Sequence, residues 1–167
     1  MTVVFVCTGN TCRSPLAMAL ARGLWPDTLT VESAGLQAMD GEPAALPARA
    51  VALERGADLD SHRSQPVRRP MLNRPGWFIG MTRSHVAMLS RHLDPSGPVR
   101  LGLLGAPGED LRGRATPEAD EVSDPFGGDV ERYRVTADQL ERWLKAWLPH
   151  LQADNENQTA DDTRSES

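Results

Sequence analysis

Cysteine is nearly absent from this chain of 167 residues: only Cys7 and Cys12 occur, and they do not form a Cys-x-x-Cys pair. Two thiols in a chain this long are no disulfide framework. The four histidines, His62, His85, His92 and His150, show no zinc-ligand spacing, so no metal is expected. Lysine is scarcer still, with Lys145 alone; Gly-x4-Gly-Lys is missing, which excludes a Walker-type nucleotide loop. No apolar run approaches the roughly 20 residues of a membrane-spanning helix. The run Val3 to Val6 is too short for the core of a signal peptide. Positive charge is not in excess either. The net charge is −5, and the segment 152–167, with five acids and one arginine, carries −4 of it. No basic face for nucleic acid follows. The expectation is a cytoplasmic protein, working as a monomer, with neither membrane nor nucleic acid as a partner. Its length suits one domain, placed over 1–151, followed by an acidic polar tail over 152–167 expected to be disordered.

The chain does contain a regular alternation of strand and helix patterns. Thr2 to Cys7 is β-branched and aromatic and predicts a buried strand. Thr8 to Arg13 follows as a loop, and Ser14-Pro15 as a helix start, with Ser14 as N-cap. Further strands are predicted over 29–33, 77–81 and 99–104, and helices over 43–55, 84–91 and 130–148. Leu140, Trp143, Leu144 and Trp147 share one face of the last helix. Such an order implies a parallel sheet covered by helices on both faces. Sites in these folds lie at the carboxyl ends of strands, where Cys7 ends the first and Asp124 follows the fourth.

Cys7 and Arg13 are spaced as Cys-x5-Arg. A loop from a strand into a helix N-terminus gathers N–H donors and the positive end of the helix dipole, both of which favour an anion. Gly9 allows the tight backbone this requires. Arg13 offers a planar fork for two phosphate oxygens. The same positive field favours the Cys7 thiolate, to which Ser14 could donate a hydrogen bond. One loop, Thr8, Gly9, Asn10, Thr11, Cys12, Arg13 and Ser14, thus supplies a phosphate cradle beside a nucleophile. Expelling a leaving group needs a proton, and Asp124-Pro125 in a loop made pliable by Gly127-Gly128 places an acid for that step. A non-catalytic phosphate-binding module is the rival, but it would not require nucleophile, clamp and acid together.

The strings Val4-Phe5-Val6-Cys7-Thr8-Gly9-Asn10-Thr11-Cys12-Arg13-Ser14-Pro15 and Asp124-Pro125-Phe126-Gly127-Gly128 resemble those of the low-molecular-weight protein tyrosine phosphatase family. The resemblance implies a single three-layer α/β domain with a four-stranded parallel sheet and no cofactor. It implies that Cys7 attacks phosphorus to give a cysteinyl phosphate. Asp124 then protonates the leaving group and later deprotonates the hydrolytic water. Asn10, Ser14, Ser33 and His62 match a hydrogen-bond network that shapes the loop. Cys12 matches a second loop cysteine able to trap oxidised Cys7 as a reversible disulfide; a packed small thiol is the alternative. His85, His92 and His150 have no such match and are expected in solvent. Arsenate reductases share the first loop but need additional cysteines.

The substrates expected are phosphorylated proteins. Phe126 is the one aromatic beside the acid, as a substrate wall, and no aromatic occurs between Leu36 and Leu72. Phosphotyrosine sites ordinarily hold the ring between aromatic walls. Thr11, with the Asp124 motif, resembles the protein arginine phosphatase branch of the family. Phosphoarginine is therefore favoured, with phosphotyrosine as the alternative.

Overall fold

Val3, Phe5 and Cys7 pack into one hydrophobic core, and Val4 and Val6 into another, so the first strand is buried on both faces. The computed structural model describes residues 1–165, with side chains to 160. The elements run β1 (Thr2–Cys7), α1 (Arg13–Leu24), β2 (Thr30–Gly35), α2 (Leu46–Glu54), α3 (Arg69–Leu72), β3 (Gly76–Gly80), α4 (Arg83–Ser90), β4 (Val99–Leu103) and α5 (Val130–Ser165). The sheet is parallel throughout, in the order β2-β1-β3-β4. Helices α1, α2 and α5 supply the core on one face, and α3 and α4 that on the other. The three-layer α/β fold is the one expected.

The connection from β2 to β3 passes back over β1, so the order in which strands are added reverses between β1 and β3 while all strands stay parallel. Loops leaving the carboxyl ends of these two strands diverge there and open a crevice. Cys7 ends β1 at that crevice, and Thr82 follows β3 beside it. Beside β1, close approach requires glycine at two positions. A Cβ on Gly35 would lie 2.6 Å from the Thr8 carbonyl oxygen, and one on Gly76 would lie 2.0 Å from that of Thr2. A side chain at Gly76 would therefore push β3 off β1.

Several expectations change at this level. The first helix begins at Arg13, with Cys12 in the cap position and no side-chain cap bond. Ser14 is not the cap, because its hydroxyl is occupied by the loop described below. The short α3 was not foreseen. Helix α5 does not stop at Leu148 but runs through Pro149, which cannot donate to the preceding turn. It extends into the segment expected to be disordered. Asp154 accepts from Trp77 Nε1 at 3.0 Å and pairs with Arg100, while Asn155 accepts from the Met1 amino group at 3.2 Å. These contacts with the amino ends of β1, β3 and β4 hold the extension, and none is visible in local composition. Residues 166 and 167 of the expected tail lie outside the described residues. No described helix is long and apolar enough to cross a membrane.

Trp147 is the largest anchor between α5 and the sheet. It is fully buried, its Nε1 donates to the Leu104 carbonyl at 2.8 Å, and its ring meets Trp77 edge-on at 5.0 Å. Gly102 leaves the space it fills, since a Cβ there would come within 2.7 Å of the ring. Trp143 lies at the edge of this face, half-buried, and Tyr133 and Ala137 take the buried positions upstream. Trp147→Ala should cost about 3–5 kcal/mol, the usual loss for a large core aromatic. At this chain length that lowers the melting temperature by roughly 6–20 °C. A thermal melt within two degrees of the parent would mean that α5 is held elsewhere.

Candidate active site

The loop after β1 is built from its carbonyls outward. Leu36 N–H donates to Cys7 O, Gln37 N–H to Thr8 O and Ala45 N–H to Thr11 O, each at 2.9 Å. His62 Nε2 donates to Asn10 O at 2.8 Å, and Cys12 O accepts from Leu16 N–H inside the first turn of α1. With these carbonyls engaged outside the loop, the N–H groups between them face its concave side, as in an anion nest. The tight turn falls on Asn10, at φ 55°, rather than on Gly9. Asparagine tolerates this left-handed conformation when its side chain bonds locally.

Asn10 supplies those bonds. It is fully buried, its Nδ2 donates to Ser14 Oγ and to Ser33 Oγ at 2.9 Å each, and its Oδ1 accepts from Gln65 N–H at 3.0 Å. Ser14 Oγ lies 2.9 Å from Cys7 Sγ. Asn10 donates into a Ser14 lone pair, and the single serine hydrogen is shared between the Cys7 sulfur at 2.9 Å and the Ala34 carbonyl at 3.3 Å. Burial keeps His62 below the ordinary imidazole range, so it stays neutral while donating to Asn10. Asn10, Ser14, Ser33 and His62, named from the resemblance, are thus joined in one buried network. Gln65 belongs to it as well and was missed; a lone glutamine in a polar loop carries no signal in the sequence.

Arg13 is 6% exposed and donates through Nη1 to Val122 O at 3.3 Å. Val122 is itself buried, and its N–H donates to Met81 O at 3.1 Å. This pins the long loop after β4 to the end of β3. Two residues on, Asp124 Oδ2 stands 3.2 Å from Arg13 Nη2. Asp124 Oδ1 accepts from Phe126 N–H at 3.2 Å, which sets the turn at Pro125. Cys7, Thr8, Gly9, Thr11, Cys12, Arg13, Asp124 and Phe126 line a single cavity of about 260 Å³. Its floor at Cys7, Cys12 and Arg13 is buried, while Thr8, Asp124 and Phe126 stand exposed at its rim.

Both cysteines are free thiols. Cys12 Sγ lies 3.1 Å from the Tyr133 hydroxyl, and burial raises both groups above their ordinary values. Tyr133 was missed, although it falls on the buried face of α5 one turn before Ala137. The other correction is His85. Expected in solvent with His92 and His150, it is 5% exposed and bonded to Thr8; the other two are exposed.

A thiol, an arginine and a carboxylate around a nest of N–H groups define a cysteine-dependent phosphoryl-transfer site on a doubly wound sheet. The sequence profile of the low molecular weight phosphotyrosine protein phosphatases matches residues 2–157, and the chain belongs to that family. It is accordingly a protein phosphatase, a hydrolase of that class. Among its relatives is a protein-arginine-phosphatase of Geobacillus stearothermophilus, 31% identical, with 91% of this chain and 97% of that protein aligned. Another is a probable low molecular weight protein-tyrosine-phosphatase, EpsP, of Ralstonia nicotianae, 30% identical over the same shares, 91% and 97%. A solved structure of the YwlE arginine phosphatase, a cysteine-to-serine mutant with a phosphorylated active-site serine, superposes with a TM-score of 0.74. It is 29% identical, and the match covers 92% of this chain and 97% of that one.

Proposed function

We propose that the chain hydrolyses phosphorylated side chains of proteins, with Cys7 as nucleophile, Arg13 as phosphate clamp and Asp124 as general acid and base. The observation that carries this is the convergence of Cys7, Arg13 and Asp124 on one cavity, with Arg13 and Asp124 paired at 3.2 Å. The phosphoryl oxygens bind the N–H groups from Thr8 to Ser14 and the Arg13 fork. The thiolate attacks phosphorus as the bond to the leaving atom breaks, and Asp124 gives that atom its proton. The carboxylate then takes a proton from water, whose oxygen displaces the sulfur and regenerates the thiolate. Ser14 stabilises the sulfur as nucleophile and as leaving group.

Phosphoarginine is the favoured substrate. The aligned arginine phosphatases support it, as does the cavity itself: Phe126 is the one aromatic on its lining, and Thr11 adds a hydroxyl there. An exposed carboxylate at Asp124 suits a guanidinium leaving group. Phosphate release from phosphoarginine and phosphotyrosine peptides, with Cys7→Ser as control, tests both levels. Faster release from phosphotyrosine keeps the mechanism and discards the preference. Release independent of Cys7 discards the mechanism. In the same assay Thr11→Ile should shift the ratio of kcat/KM toward phosphotyrosine by about tenfold, the scale of one pocket contact. An unchanged ratio removes Thr11 from specificity.

A further inference from the structure

His85 sits in the first turn of α4, behind the loop that carries Cys7, with its Nδ1 3.1 Å from Thr82 Oγ1 and its Nε2 3.0 Å from Thr8 Oγ1. Thr82 caps α4, its Oγ1 accepting the His85 backbone N–H at 3.3 Å. The hydrogens can be counted. If Thr82 donates its own hydrogen to Nδ1, the ring hydrogen is on Nε2 and goes to Thr8 Oγ1, so every polar hydrogen behind the loop has an acceptor. The other tautomer would aim two donors at Thr82 Oγ1 and leave the Thr82 hydrogen unused. With Nε2–H donating, Thr8 keeps its hydroxyl hydrogen and a lone pair for the cavity, which it lines from the rim.

Burial, reinforced by the positive charge of Arg13, pushes His85 down to about 4, against the opposing pull of Asp124 and Glu121. The ring is therefore neutral across the physiological range and adds no second cation beside Arg13. Nothing in the catalytic sequence above employs it, yet it is one of the few buried polar side chains and meets the residue directly after the nucleophile. Its position follows from the topology: loops after β1 and β3 meet at the crevice where the winding order of the strands reverses.

We propose that His85 is a positioning residue that aims the Thr8 hydroxyl at the part of the substrate beyond its phosphoryl group. This rests on the phosphatase reading of the cavity. Phosphoryl oxygens are held on the buried floor by the loop and Arg13, whereas Thr8 stands on the exposed rim. His85 thus acts on substrate recognition and leaves phosphate binding alone.

The test combines imidazole ¹⁵N spectra of the full chain with kinetics on a phosphoarginine peptide and a phenyl phosphate. The wild-type His85 ring should be neutral with its hydrogen on Nε2, and Thr8→Val should shift that signal. Thr8→Val and His85→Phe should each lower kcat/KM about tenfold, and together no further, because both remove one contact. His85→Gln, whose amide can still donate to Thr8, should recover most of the loss. Competitive inhibition by inorganic phosphate should be unchanged in His85→Phe and His85→Gln. Hydrogen on Nδ1, additive losses, or His85→Phe as active as the parent would overturn the proposal. A weakened phosphate affinity in His85→Phe would do the same, by making the histidine a general support of the loop. A wild-type protein that turns over neither substrate sinks the phosphatase reading; the tautomer and its response to Thr8→Val still decide whether His85 holds Thr8.

Discussion

Cys7→Ser is expected to lower phosphate release at least about ten-thousand-fold, on the scale of losing a nucleophile outright. The reason is the ionisation of the attacking atom. The attacking sulfur acts as a thiolate, and a thiol ionises far more readily than an aliphatic hydroxyl, so a serine in the same place stays protonated. Ser14 Oγ, the group in contact with the sulfur at 2.9 Å, is itself a hydroxyl and does not take that proton. Phosphate binding should survive, and tighten, since a neutral serine does not repel a phosphate dianion as a thiolate does. The measurement is steady-state release beside inorganic phosphate affinity by calorimetry. A Cys7→Ser protein within tenfold of the parent would remove Cys7 from the mechanism. Loss of both turnover and phosphate affinity would point instead to a collapsed loop.

The next largest effect is expected from Asp124→Asn, and it should depend on the leaving group. Asparagine preserves the turn, because its side-chain oxygen can still accept from Phe126 N–H. It cannot deliver a proton. Phenyl phosphate, whose leaving oxygen needs one, should lose about 10²–10⁴-fold in kcat, the range for general acid catalysis. A nitrophenyl phosphate, whose anion leaves unaided, should lose far less in the first step. Equal losses for both esters would assign Asp124 a role in holding Arg13 rather than in proton transfer. That alternative is concrete, because the two side chains are paired at 3.2 Å in this structure. Substrate would break this pair: Arg13 turns to the phosphoryl oxygens and Asp124 is freed toward the leaving atom.

How far the chain could be read before its fold was known differs by element. β1 was legible because Val3 to Val6 are apolar on both faces, which only a central strand tolerates. The Cys-x5-Arg loop was legible because its residues are consecutive and their chemistry is local. Asp124 was legible only through its motif, since an Asp-Pro turn has no chemistry by itself. His85 was misplaced, because a histidine in the first turn of a short helix, after an arginine and a serine, looks like any surface residue. The tail was misjudged for the same reason: composition predicted solvent, while Asp154 and Asn155 found partners 77 and 154 residues away in the chain.

The sequence by itself determined the strand-to-helix loop, the alternation that forces a parallel sheet, and the identity of the chemical groups. These depend on backbone propensity, side-chain period and covalent order, all of which act between near neighbours. Only the tertiary structure decided which distant groups meet. The reversal of winding order between β1 and β3 puts Thr8 against His85. The hydrogen bond from Val122 to Met81 brings Asp124 onto Arg13 across more than a hundred residues. Such contacts depend on where independently packed elements come to rest against one another, and no local pattern along the chain encodes that.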